Sequence, residues 1–100
     1  MRISVDGSDT SLLEPDVFTS FDVVAPNLST NEVLAALGEG GAPSSEPDHV
    51  FVAIAAVRSM AGDAADRHWE EQFQAMLTYA ASKGWLNDAG DKIMAHLSAS

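Results

Sequence analysis

Three histidines, fifteen acids and a small set of aromatic residues are the side chains of this 100-residue chain that could carry chemistry. His49, His68 and His96 could bind a metal ion or move a proton. They lie far apart, and none forms an H-x-x-x-H or E-x-x-H pair on one helix face. A three-histidine centre would have to be assembled by folding. His68 and Glu71 stand three apart, a spacing that is commonplace on a solvated helix. No metal and no other cofactor is expected from these spacings.

Other constellations fail on their chemistry. Gly38-Glu39-Gly40-Gly41 has the glycines of a phosphate loop, but it lacks a lysine, and Glu39 would repel the ligand. Asp6-Gly7-Ser8-Asp9 and Asp88-Ala89-Gly90-Asp91 lack the alternating oxygen ligands of a calcium loop and read as turns. There is no G-x-S-x-G elbow for a serine nucleophile, and with no cysteine there is no thiolate chemistry and no disulfide. Fifteen acids supply candidate carboxylate pairs everywhere, which makes any one pair uninformative. No catalytic residue is singled out.

The aromatic residues are what remains. Trp69, Phe73 and Trp85 are the candidate contacts for a protein partner or a flat apolar ligand. Against this stands the plain reading that they fill a small core, where large rings contribute much of the burial.

Two of the three sit on the most regular stretch of the chain. Asp63 after Gly62 reads as an N-cap, and Ala65, Trp69, Phe73, Met76, Leu77 and Ala80 trace one helical face. Lys83-Gly84-Trp85 reads as a Schellman stop, with glycine in the left-handed position and an apolar residue after it. The expected helix runs from Ala64 to Lys83.

Before it, Pro47 or Asp48 opens a second expected helix, which is apolar on every side from Val50 to Val57 and ends at Gly62. A buried strand would also fit this run, but the alanines favour helix. The two helices should form an antiparallel hairpin at the centre of the fold. Ser29 and Glu32 make an S-x-x-E capping box, with Leu28 and Val33 at the staple positions, for a helix from Thr30 to Leu37. A helix from about Pro15 to Val24 is expected from a staple between Leu13 and Phe18. Residues 91–97 fit a last helix or an alternating strand, and helix is preferred. Residues 1–11 are expected to be weakly ordered, and 38–48, rich in Gly, Pro and Ser, to be a flexible internal loop.

Composition sets the outer bounds. The apolar share of 46% suits one globular domain spanning 1–100. The formal charge is −10 and uneven: residues 1–48 hold nine acids against one base, and residues 49–100 six against four. A field of that sign repels phosphate backbones and anionic lipids, so neither nucleic acid nor membrane is an expected partner. The longest apolar run is far too short for a membrane span, and the first residues lack a signal-peptide core. A cytoplasmic location is the expectation.

A further set of residues carries a likeness: His49-Val50-Phe51, Ala56-Val57-Arg58, Ala61-Gly62, Trp69, Phe73, Met76, Tyr79-Ala80, Ser82-Lys83-Gly84-Trp85 and Ala95-His96. On them, the segment from Asp48 to Leu97 resembles a group of uncharacterised short conserved proteins from mycobacteria and related actinobacteria. That group has no established activity, so the resemblance implies no catalytic residue. It implies a fold compatible with a compact helical domain.

The sequence thus leads to an all-α expectation: a single-domain bundle of about five helices around a central helical hairpin, or a mostly α fold with one short terminal strand pair. The expected function is a non-enzymatic interaction or accessory module with a basic protein partner. The alternative is a binder of a small apolar or aromatic ligand held between helices by Trp69, Phe73 and Trp85.

Overall fold

The computed structural model describes residues 1–6, 9–26 and 28–98. Alternation, not helical period, governs its first residues. Ile3 and Val5 point inward between polar neighbours, and Arg2–Asp6 forms strand β1. It pairs antiparallel with β2, Asp9–Leu13. Met1, Ile3 and Val5 are almost fully buried, so this end is part of the core. The Asp6–Asp9 turn motif lies partly outside the described residues.

The expected helix at Pro15–Val24 is absent. Val17 N–H closes a turn onto the Glu14 carbonyl, and the chain runs on into β3, Asp22–Val24. Val23 is its one buried residue. β-branched residues favour such a two-sided position on a sheet over a helix. The next helix follows its sequence signals. α1 spans Thr30–Leu37, and the Ser29–Glu32 box is formed in both directions. After it, 38–48 is not one loop: a 3₁₀ turn at Gly38–Gly40 leads into the short strand β4, Gly41–Pro43.

The apolar run from Val50 splits in two. His49–Ala53 is strand β5, and α2, Ile54–Ala61, follows without a break. The switch has a physical cause. β5 pairs antiparallel with the last strand, β6 (Lys92–Ser98), and Ala53 opposite Lys92 ends that register. Past that pair the Ile54 N–H makes the ladder's last bond, to the Asp91 carbonyl at 2.9 Å, and this satisfies a free N–H at the start of the helix.

Gly62, at φ 54°, ends α2 in a conformation that side chains disfavour, and a 3₁₀ turn at Gly62–Ala64 follows. That turn moves the start of the long helix. Asp66, not Asp63, is the N-cap, accepting the Trp69 N–H at 2.8 Å, and α3 spans Arg67–Ser82. Its end matches the sequence reading: Trp85 N–H donates to the Ala80 carbonyl and Gly84 N–H to that of Ala81, the two bonds of a Schellman motif.

The six strands form one curled sheet in the order β2-β1-β3-β6-β5-β4. β3 runs parallel to both β1 and β6, and the other pairs are antiparallel. The molecule is therefore mixed α/β, which corrects both the all-α bundle and the mostly helical variant. Residues 91–97, expected as helix, supply a central strand. Valine and isoleucine from the sheet pack with Val33, Val57, Trp69, Phe73 and Leu77 from the helices in one core. α2 and α3 touch through Arg58, whose Nε lies 3.1 Å from both carboxylate oxygens of Glu70 and whose guanidinium sits over the Phe73 ring. The sheet, not a helical hairpin, is the centre. Among the described residues no helix is long and apolar enough to cross a membrane.

Candidate functional site

The three aromatic candidates part company. Trp69 is 4% exposed and Phe73 is fully buried. Their rings stack with centroids 4.6 Å apart, and Phe18 tilts against Trp69 at 6.0 Å. The indole Nε1 of Trp69 donates to the Pro15 carbonyl at 2.6 Å. That bond satisfies the one polar atom of the ring and pins the β2–β3 connection to α3. These two residues are core.

Trp85 is not with them. It stays 43% exposed and meets Tyr79, itself 57% exposed, edge to face at 5.8 Å. Lys83 Nζ lies 5.4 Å from the centre of the Tyr79 ring. The Trp85 backbone is held on both sides. Its N–H is in the Schellman close, and its carbonyl accepts the Met94 N–H at 2.8 Å. The position is thus fixed while the ring remains accessible.

That second bond reveals how the site is made. One edge of β6 has two successive partners. At residues 96–98 it pairs with β3, and at 92–94 with the segment after α3, through Leu86 opposite Ile93 and Asn87 N–H to the Lys92 carbonyl. Neither segment continues into the other. A groove of about 840 Å³ opens at this fork. Phe18, Phe21, Met76, Tyr79 and Trp85 give it apolar walls, and Met94 of β6 lines it too. Asp22, His49 and His96 form its polar end. The volume falls within the range of about 300–1,000 Å³ usual for small-molecule sites.

The polar end is a product of register. Arg2, Asp22, His96 and His49 stand opposite one another in turn across β1, β3, β6 and β5. Such partners share a face of the sheet. The rings of His49 and His96 meet at 5.3 Å between centroids. His49 Nδ1 lies 2.7 Å from the Pro47 carbonyl. A carbonyl only accepts, so Nδ1 carries the hydrogen, and Nε2 is the ring nitrogen left for another partner. His68, in the first turn of α3, is not among the groove residues. Among the described residues no group of three or more His, Asp or Glu is close enough to hold a metal ion.

The remaining motifs have structural work. Asn87 Oδ1 accepts from the N–H groups of Asp91 and Lys92, and its Nδ2 donates to Asp91 Oδ1. The bond from Nδ2, with the Lys92 ammonium nearby, holds the Asp91 carboxyl below its ordinary range. The 88–91 segment is a turn that sets up β6.

Of the groove residues the sequence reading named Trp85 as a candidate contact, and it did not bring Tyr79, Phe18, Phe21 or the histidine pair to it. A signal for the pair existed. Ile93, Ala95 and Leu97 alternate, as do Val50 and Val52, and two strands in that register put His49 beside His96. No protein-family model, curated protein or solved structure matches the chain.

Proposed function

We propose that the chain is a binding protein whose groove receives a small, flat, largely apolar molecule with a polar end. Trp85 and Tyr79 stack on the apolar body, and His49 and His96 meet the polar end. The observation that carries this reading is a partly exposed tryptophan whose backbone is locked on both sides, facing an 840 Å³ groove. A contact surface fixed before binding loses little conformational freedom on binding. This takes up the ligand-binding alternative of the sequence reading with a changed cast: Trp85 is kept, and Trp69 and Phe73 become support behind the wall.

An interaction with a basic protein partner remains the second reading, favoured by the excess of acids in residues 1–48. The cytoplasmic location belongs to the same proposal.

Fluorescence tests the ligand reading. Titration with a panel of small aromatic and acyl compounds is expected to shift the emission of the wild-type chain. Trp85→Phe is expected to abolish the shift, because Trp69 is buried. A flat response across the panel, or a response that persists in Trp85→Phe, would overturn it.

A further inference from the structure

His49 and His96 face each other from neighbouring strands, and their pairing is of a particular kind. The Leu97 N–H donates to the Asp48 carbonyl at 2.7 Å, which makes Asp48 and Leu97 a hydrogen-bonded pair. Pairs alternate along an antiparallel ladder, so His49 and His96 are a non-hydrogen-bonded pair. Side chains approach most closely there, with Cα atoms about 4.5 Å apart.

We infer that this histidine pair chelates a divalent transition-metal ion of the zinc class at the polar end of the groove. Three observations support it independently of any groove ligand. The first is spacing. With a Zn–N bond of about 2.1 Å and about 1.1 Å from nitrogen to ring centre, two imidazoles on a tetrahedral ion place their centroids about 5.2 Å apart. The observed separation is 5.3 Å, in an edge-to-face contact at 73°, so the pair is within the reach that chelation needs. The second is the tautomer. Metal-bound histidines generally donate their other ring N–H to a carbonyl or carboxylate, which orients the ring and raises ligand basicity. His49 already makes that bond, to the Pro47 carbonyl. The third is the field. Asp22 stands opposite His96 in the next strand, and the chain carries a formal charge of −10, which concentrates cations near it.

Imidazole nitrogen selects Zn²⁺, Ni²⁺ or Cu²⁺ over Mg²⁺ and Ca²⁺, which prefer oxygen. Two protein ligands leave two tetrahedral positions to water or to a donor atom of a molecule in the groove. This differs from a structural zinc site, where four protein ligands close the shell. No local motif marks the site, because its ligands come from opposite ends of the second half of the chain and meet only when the two strands are set in register.

The test uses the metal alone. Calorimetric titration of the full chain with Zn²⁺, in millimolar Mg²⁺ to occupy surface carboxylates, is expected to show one ion per chain. His49→Ala and His96→Ala are each expected to weaken it about tenfold or more, at least the loss typical of an altered outer-shell partner. His68→Ala is expected to bind as wild type. Circular dichroism checks that the variants fold. On the wild type itself, nitrogen NMR of the imidazoles is expected to show Zn²⁺ moving the ring signals of His49 and His96 and leaving those of His68. Absence of binding by the wild type, undiminished binding by either groove variant, or ring shifts confined to His68 would overturn the inference.

Discussion

The indole N–H of Trp69 donates to the carbonyl of Pro15 at 2.6 Å, joining α3 to the connection between β2 and β3. That one bond explains why the most helix-like residue of the sequence is a structural anchor rather than a contact surface. Phe18, drawn along with the same connection, comes to wall the groove.

Trp69→Phe keeps the ring stack but leaves the Pro15 carbonyl without its donor. It is expected to lower stability by about 1–3 kcal/mol, the usual cost of a stranded polar group. Trp69→Ala also opens a cavity and is expected to lose about 3–5 kcal/mol. Urea denaturation measures both. Losses below about 0.5 kcal/mol for Trp69→Phe would show that the bond does not anchor the connection.

At the other end of α3, glycine and tryptophan have separable duties. Gly84 sits at φ 76° in the Schellman close. Gly84→Ala is expected to cost about 1 kcal/mol, since the left-handed region carries a penalty of roughly that size for other residues. In a domain of this length that is a fall of about 4–8 °C in Tm. Trp85→Ala, by contrast, is expected to change Tm less than Trp69→Ala does, because the Trp85 ring is partly exposed and its fixing bonds are made by the backbone. Thermal melts of the three variants compare them directly. A Trp85→Ala loss as large as that of Trp69→Ala would make Trp85 a core residue.

Two capped turns give the fold a defined acid response. The bonds from the Ser29 backbone N–H and hydroxyl group lower the Glu32 carboxyl from its ordinary 4.5, and the Asn87 side chain lowers the Asp91 carboxyl from 3.8. A carboxyl lowered in the folded state binds fewer protons there than when unfolded. Its contribution is therefore full above the ordinary value and lost as pH falls through the lowered one. Denaturation midpoints are expected to drop as pH falls below about 4.5. The gap between wild type and Ser29→Ala, and that between wild type and Asn87→Ala, should narrow over the same interval. Gaps independent of pH would separate these carboxyls from the capping bonds.

The parts of the molecule written in short local codes were legible. The Ser29–Glu32 box, the Lys83-Gly84-Trp85 stop and the Asn87–Asp91 turn each depend on neighbours a few residues away. The sheet was not. Val50 to Val57 is uniformly apolar, and such a run has no period of its own to distinguish strand from helix. Its division at Ala53 is set by where β6 stops pairing, a fact located some forty residues further on. β3 has three residues and one buried side chain, too short to alternate visibly. The same remoteness hid the groove. Trp85 could be named because it follows directly on the Lys83-Gly84 stop, whereas Tyr79 and Phe21 gather only once β6 divides its edge between two partners, and the histidines only once β5 pairs with β6.

The groove is the centre of the functional account, and amide chemical-shift mapping tests it most directly. The compound that most shifts Trp85 emission would be titrated into isotope-labelled chain and the perturbed amides placed on the fold. The account predicts a cluster at Phe21, Tyr79, Trp85, Met94 and His96, with the β1–β2 hairpin unaffected. Perturbations centred on that hairpin or on α1, with the fork of β6 unmoved, would contradict it.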